Sequence, residues 1–177
     1  MSISAELRDQ VRQRANFACE YCSVAEADTG GLLTVDHFQP QALGGSDDLA
    51  NLLYCCHGCN QFKAAYWPLQ ATDLALWNPR MEPRHQHLLL LDDGTLHPLT
   101  PIGAFTVKRL RLNRPPLIAY RLRQLRQTEE TRLLKRYREV IALLEHLHHQ
   151  QAALLEEHQS LLEKQWALLR ALIDLDE

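Results

Sequence analysis

The 177-residue sequence predicts an α+β fold, in which a small metal-stabilised domain is followed by a β-hairpin and a long helix. Two Cys-x2-Cys pairs flank short apolar runs at residues 32–35 and 52–55, which predict two strands beside a metal site. An Asp-Gly turn signal lies between two apolar runs within residues 87–99 and predicts a hairpin. Residues 117–177 contain neither Gly nor Pro and carry apolar residues at intervals of seven, so they predict helix.

The composition is ordinary for a soluble globular protein, with 46% hydrophobic and 23% charged residues. No apolar stretch approaches the ~18 residues of a membrane-spanning helix, and no signal-like segment opens the chain, so we expect a cytoplasmic protein. Five cysteines cannot all pair in disulfides. Two Cys-x2-Cys motifs instead indicate metal ligands in a reducing compartment.

A basic block lies between two acidic ones, although the formal net charge is only −3. Residues 105–138 hold 11 Lys and Arg against 2 Asp and Glu. We expect this block to contact nucleic-acid phosphates without reading sequence. An arginine-rich helix paired with the acidic residues 139–177 would have the same composition. The candidate phosphate-binding residues of the block are Lys108, Arg109, Arg111, Arg114, Arg121, Arg123 and Arg126.

The first predicted domain covers residues 1–68. Apolar residues at intervals of four predict its first helix, and β-branched or apolar runs predict its strands. In chain order its elements are a helix over residues 3–16, a strand over 32–35 that ends at Asp36-His37, an irregular loop over 39–50, a strand over 52–55 and a helix from about Cys59 to Tyr66.

The rest of the chain is predicted as an extension over residues 69–116 and a helical arm over residues 117–177. The extension holds the hairpin and a helix that Thr100 caps and that runs to about Leu112. The arm has a broad apolar stripe. It is equally compatible with one coiled-coil-like rod and with an antiparallel helical hairpin broken near residues 146–151.

The spacing of Cys19, Cys22, Cys56 and Cys59 is that of a four-cysteine zinc site. Such a site is closed to substrate, so the zinc would be structural and would stabilise strands that bury little surface alone. Cys55 falls outside this register and is predicted to be a buried thiol on the other side of its strand. Four unrelated buried cysteines are the alternative interpretation.

A strand that ends in Asp-His and a helix that opens with Asn suit the hydrolysis of a phosphodiester. Asp36 and Asn60 offer hard oxygen ligands for Mg²⁺ or Mn²⁺, which would neutralise charge on the scissile phosphate. His37, with an ordinary pKa of about 6.5, suits a general base that takes a proton from water at neutral pH.

Residues 8–66 resemble the HNH nucleases of the His-Me finger (ββα-metal) superfamily. The resemblance rests on both Cys-x2-Cys pairs, Val35-Asp36-His37, Pro40, Gly44-Gly45, Asn51-Leu52 and Lys63. It implies a ββα-metal fold with Asp36 and Asn60 as ligands of the catalytic metal and His37 as general base. It also implies that Asn51 holds the long loop against the Asp-His strand. Asn60 stands where the family usually has its final His, which makes this an HNN variant. Lys63, one turn after Asn60, is predicted either to touch a substrate phosphate or to lie in solvent.

The function predicted from these features is a metal-dependent DNA endonuclease that nicks and is non-specific or structure-selective. The alternatives are a catalytically silent zinc-ribbon scaffold that binds nucleic acid or protein, and an RNase. The helical arm is predicted to mediate a homodimer or to bind a partner protein.

Overall fold

The computed structural model describes residues 3–173, and the side chains up to residue 170. It contains mixed helix, two small antiparallel sheets and a long C-terminal helix. The chain divides into two compact units, one ending at Arg126 and the other starting at Gln127. Among the described residues, no helix combines the length and apolarity needed to span a membrane.

Helix α1 (Ala5–Arg14) begins at Ser4, whose side chain accepts a hydrogen bond from Leu7 N. Its buried face consists of Val11, which packs with Leu52 and Tyr54 in a small core cluster. A short helix that was not predicted, α2 (Glu26–Thr29), follows Cys22. Arg12 of α1 donates two hydrogen bonds to Glu26 of α2, 2.7 and 2.8 Å long.

Strands β1 (Thr34–His37) and β2 (Leu52–Cys55) pair antiparallel, with Asp36 opposite Leu53 and His37 opposite Leu52. Strand β1 starts two residues later than predicted, because Leu33 N donates to the Tyr54 hydroxyl and the ladder begins only at Thr34. The Asp-His pair therefore lies inside the strand, where its backbone is fixed by the sheet.

Helix α3 (His57–Lys63) follows β2 directly and completes a ββα arrangement. The Cys56 side chain caps it by accepting from Cys59 N. It ends three residues before the predicted Tyr66, because Ala64 adopts a positive φ of 50° that an α-helix cannot contain.

The extension contains the predicted hairpin, formed by β3 (Leu88–Leu90) and β4 (Leu96–Pro98). Helix α4 (Pro101–Arg109) has the predicted Thr100 cap and Pro at its first position. It stops short of Leu112, because Arg111 has a positive φ of 49°.

Helix α5 (Pro115–Ile173) is one continuous element, so the hairpin alternative for the arm is not adopted. Its start at Pro115 follows from the preference of proline for the first helical turn. Every described side chain from residue 126 to residue 170 is exposed.

The main core joins residues from both sides of the predicted boundary between residues 68 and 69. Leu53 and the cysteine thiols pack in one cluster with Trp77, Leu88, Leu110 and Leu117. The zinc ligands are therefore enclosed partly by the extension.

Candidate active site and metal centre

The two Cys-x2-Cys pairs converge on one point, because the turn at Cys19–Cys22 lies beside the junction of β2 and α3. The Sγ atoms of Cys19, Cys22, Cys56 and Cys59 all lie within 4.8 Å of one another, and the Cys22 and Cys56 sulfurs are 3.6 Å apart. Four thiolates around a tetrahedral zinc with bonds of about 2.3 Å would stand about 3.8 Å apart. All four residues are buried and unoxidised, so the donor set fits a closed structural zinc site.

The surroundings of the thiols shift their pKa values in different directions. Hydrogen bonds from neighbouring thiols, first from Cys22, lower the pKa of Cys19, which favours the thiolate that a metal requires. Cys55 is fully buried, and its hydrogen bond to Cys19 is the main cause that raises its pKa. Cys55 is therefore the buried thiol that was predicted, and it belongs to the same core cluster as the four cysteines of the site.

Arg114 lies against the four-cysteine site, although the sequence analysis predicted that it binds phosphate. Its Nη2 is 3.9 Å from Cys56 Sγ, and its guanidinium lies over the Phe62 ring at 5.4 Å from the centroid. A Cβ on Gly58 would come within 2.9 Å of Nη2, so Gly58 makes room for this contact. The predicted phosphate contact of Arg114 is thus replaced by an internal one.

Asp36 lies under α3 and faces a buried cation. The Lys63 ammonium is 2.9 Å from Asp36 Oδ2 and donates to the His37 carbonyl at 2.6 Å. The Lys63 side chain is only 1% exposed and that of Asp36 is 18% exposed. Lys63 therefore neither lies in solvent nor can reach a substrate phosphate, and both sequence-based interpretations of Lys63 are wrong.

His37 points to the other face of β1 and is held by a carboxylate. Its Nε2 lies 2.7 Å from Asp47 Oδ1, which also accepts from Gln41 Nε2 at 2.8 Å. The hydrogen bond from His37 is the main cause that lowers the pKa of Asp47, so the carboxylate is ionised and can only accept. Nε2 must then carry the proton, which leaves the Nδ1 lone pair of neutral His37 as the basic position.

Asn51 ties the long loop to the end of β1. Its Oδ1 accepts from Gln39 N at 2.8 Å, and its Nδ2 donates to Gln39 O and Ser46 O at 3.1 and 2.8 Å. The Asn51 carbonyl also accepts from Phe38 N at 2.7 Å. These bonds fix the backbone immediately after His37.

Asn60 and Asp36 are directed to the same side of β1. Asn60 Nδ2 lies 3.3 Å from Thr34 Oγ1, and Thr34 and Asp36 are two residues apart and share one strand face. Carboxylate and amide oxygens are hard donors that suit Mg²⁺ or Mn²⁺. Within the described part of the chain, buried Asp36 Oδ2 accepts no hydrogen bond, because Lys63 contacts it without hydrogen-bond geometry. The donors fit a hard divalent cation, with Lys63 as a neighbouring positive charge.

The structure brings only part of the predicted phosphate-binding block to the surface. Arg121 is 4% exposed and donates to Leu112 O, and burial lowers its pKa to about 10. It is an internal residue, so its predicted phosphate contact is wrong. Lys108, Arg123 and Arg126 are exposed.

Two further arginines of the block lie on aromatic rings. Arg109 lies over Tyr66 at 4.7 Å from the centroid and donates to Lys63 O at 3.3 Å, whereas Arg111 lies over Phe62 at 4.8 Å. Arg111 remains exposed and Arg109 is half-buried.

Sequence reasoning missed Asp47 as a partner of His37. Its only signal was a carboxylate in the glycine-containing loop that follows the Asp-His pair, and such a signal is shared by many surface turns.

Comparison with known protein families gives one match. The model of the HNH endonuclease family matches residues 19–73, about a third of the chain. The matched segment contains all four zinc ligands, Asp36, His37, Asn51 and Asn60. No curated protein and no solved structure gives a significant match. The family match supports a nuclease-type function on nucleic acid.

Proposed function

We propose that this chain, whose residues 19–73 match the model of the HNH endonuclease family, is a metal-dependent DNA endonuclease that hydrolyses phosphodiester bonds. The observation that carries the proposal is His37, which is fixed on β1 with Nε2 occupied by Asp47 and Nδ1 left basic. Asp36 on the same strand and Asn60 on α3 supply the oxygen donors that the chemistry also requires.

His37 takes the proton of the attacking water at Nδ1. Asp47 holds the ring in this tautomer and stabilises the imidazolium that forms, as a carboxylate behind a catalytic histidine does in hydrolases generally. Asn51 keeps the backbone after His37 in place, so that the ring is held before substrate arrives.

Asp36 and Asn60 would hold Mg²⁺ or Mn²⁺. When bound, this cation neutralises charge on the scissile phosphate and on the departing oxygen. The Lys63 ammonium lies 2.9 Å from Asp36 Oδ2 and holds the Asp36 side chain in place. The four-cysteine zinc takes no part in the reaction, since its ligands leave no open position.

The substrate is proposed to be DNA, bound through its phosphates by exposed cations. Lys108, Arg111, Arg123 and Arg126 remain available for this after Arg114 and Arg121 are assigned to internal contacts. Such contacts carry no sequence information. We therefore expect cleavage to be non-specific or structure-selective, with one strand nicked per active site.

The test is conversion of supercoiled plasmid to open circles with Mg²⁺ or Mn²⁺, with single-stranded RNA as a parallel substrate. We expect the wild type to nick DNA and His37→Ala to lose roughly 10²–10⁴-fold, the usual contribution of a general base. His97→Ala removes an exposed histidine of β4 and serves as the matched control, with unchanged activity.

Equal activity in the wild type and His37→Ala would contradict the assignment of the base. A wild type that is inactive on DNA with both metals would contradict the proposed function. Cleavage of RNA alone would replace DNA by RNA as the substrate.

A further inference from the structure

The second compact unit exposes an extended apolar surface, and contact of this surface with water is unfavourable in a monomer. Side chains of Leu133, Val140, Leu147, Leu154, Leu161 and Leu168 repeat at intervals of seven and are 43% to 66% exposed. Leu134, Ile141, Leu155, Leu162 and Leu169 form a neighbouring column and are 42% to 63% exposed. A continuous apolar stripe over about six heptads of helix indicates a surface that another helix covers.

Charged side chains along this helix are grouped in blocks of opposite sign. Residues 131–138 carry four basic and no acidic side chains, whereas residues 139–163 carry five acidic and no basic ones. Two copies side by side in parallel would place the basic segments next to each other. In an antiparallel pair, the basic segment of each copy lies beside the acidic segment of the other.

We propose that residues 127–170 form an antiparallel coiled coil with a second copy of this chain. The heptad positions restrict its register to steps of seven residues. With Leu133 and its heptad repeats at position d, position a holds Tyr137, Leu144, Gln151, His158 and Gln165. We place the pair in the register in which the charges at the flanking positions are complementary. Position a of one helix faces position d of the other in an antiparallel pair, so Tyr137 meets Leu154 and Leu144 meets Leu147. The two-fold axis then lies between residues 145 and 146, close to the middle of the exposed segment.

The flanking g positions agree with this register. Their charged members are Glu129, Arg136, Glu157 and Lys164, and the other two are Leu143 and Gln150. Residues at g pair across an antiparallel seam. Arg136 then lies beside Glu157 of the second copy, and Glu129 lies beside Lys164. Both pairs are opposite in charge, and symmetry forms each of them twice.

The two neighbouring registers are disfavoured by the same residues. A shift by one heptad in one direction places Arg136 beside Lys164, and a shift in the other direction places Glu129 beside Glu157. Each shift replaces attraction by repulsion at two symmetry-related positions. Among these three registers, the charges at the g positions favour the one centred between residues 145 and 146.

The experiment is the molar mass of the full chain by sedimentation equilibrium over a range of concentrations, with helix content by circular dichroism. We expect the wild type to have twice the mass of the 20.4 kDa chain. Leu147→Asp places a charge in the central layer and should give a folded monomer. Ala142→Asp, at position f on the far side of the same helix, should remain a dimer.

Charge reversal tests orientation and register. Arg136→Glu and Glu157→Arg should each weaken the dimer on the order of tenfold, because each creates two like-charge pairs. The double variant with both reversals should regain the wild-type dissociation constant. Lys135→Glu and Glu156→Arg are the adjacent f-position controls and should have no comparable effect.

A wild type that remains monomeric at about 100 µM, which excludes any dimer of micromolar affinity, would overturn the proposal. A dimer that Leu147→Asp leaves intact would overturn this surface as the interface. A double variant as weak as the single ones would overturn the antiparallel register. None of these outcomes depends on nuclease activity, so they separate this proposal from the proposed function.

Discussion

Replacement of Lys63 by Met tests whether the ammonium under α3 is a structural cation or a ligand of substrate. Lys63 is 1% exposed, lies 2.9 Å from Asp36 Oδ2 and donates to the His37 carbonyl. Removing one partner of a fully buried ion pair costs about 3–5 kcal/mol. The 18% exposure of Asp36 lets water compensate part of this loss, so we expect about 2–3 kcal/mol. At about 2–4 °C per kcal/mol, the melting temperature should fall by roughly 4–12 °C.

The assay is thermal and urea unfolding of the zinc-loaded chain, followed by DNA binding at a temperature where the variant is folded. Lys108→Met removes an exposed lysine and should leave the unfolding free energy within about 0.5 kcal/mol of wild type. The double variant Lys63→Met with Asp36→Asn should recover part of the loss, because the two groups are coupled. If Lys63→Met unfolds like the wild type and instead weakens DNA binding, the buried assignment is refuted.

Two further predictions concern the zinc site and the catalytic histidine. Cys56→Ser should lose bound zinc, measured as metal per chain, together with cooperative folding, whereas Cys55→Ser should keep its zinc; a folded zinc-free Cys56→Ser protein would contradict a structural role. Asp47→Asn should lower nicking by about 10–100-fold, because His37 loses the partner that fixes its tautomer. Since the folded-state pKa of Asp47 is lowered, its stabilising contribution exists above the ordinary aspartate pKa and disappears as pH falls through the folded-state value. Acid unfolding of Asp47→Asn should therefore be less pH-dependent than that of the wild type, and identical profiles would contradict the ion pair.

The sequence predicted those parts of the structure that local patterns determine. Both Cys-x2-Cys pairs converge as their spacing indicated, because one pair lies on a turn and the other at the start of α3. Strand β2, the hairpin and the Thr100 cap likewise follow from short-range propensities and turn chemistry.

The errors concern long charged side chains whose environment depends on packing between distant elements. From the sequence, Lys63 is predicted to be a surface residue of a short helix. It is buried because α3 packs against β1. Arg114 and Arg121 belong to a block whose composition suggested phosphate binding, yet their neighbours are the zinc site and the carbonyl of Leu112. A count of charges along the chain cannot distinguish a guanidinium that faces solvent from one that satisfies buried acceptors.

The sequence also did not predict whether the arm is one continuous helix. A stretch without Gly or Pro allows a rod and a hairpin equally, since both bury the same stripe. The structure contains one helix over Pro115–Ile173, and the stripe on its residues 127–170 is exposed.

The contact of Arg114 with Cys56 and Gly58 has a consequence for how the molecule can be divided. The family match ends at residue 73, but the wall of the zinc site includes Leu110, Leu117 and the Arg114 guanidinium, all contributed much later in the chain. A fragment cut at the end of the match would keep the proposed catalytic residues and all four cysteines of the site. It would lose the contact of Arg114 with Cys56 and the later leucines of the same core cluster. The shortest fragment that should fold, alone or grafted onto another protein, therefore extends through the first turns of α5. The segment that matches the family and the unit that can fold have different borders in this chain.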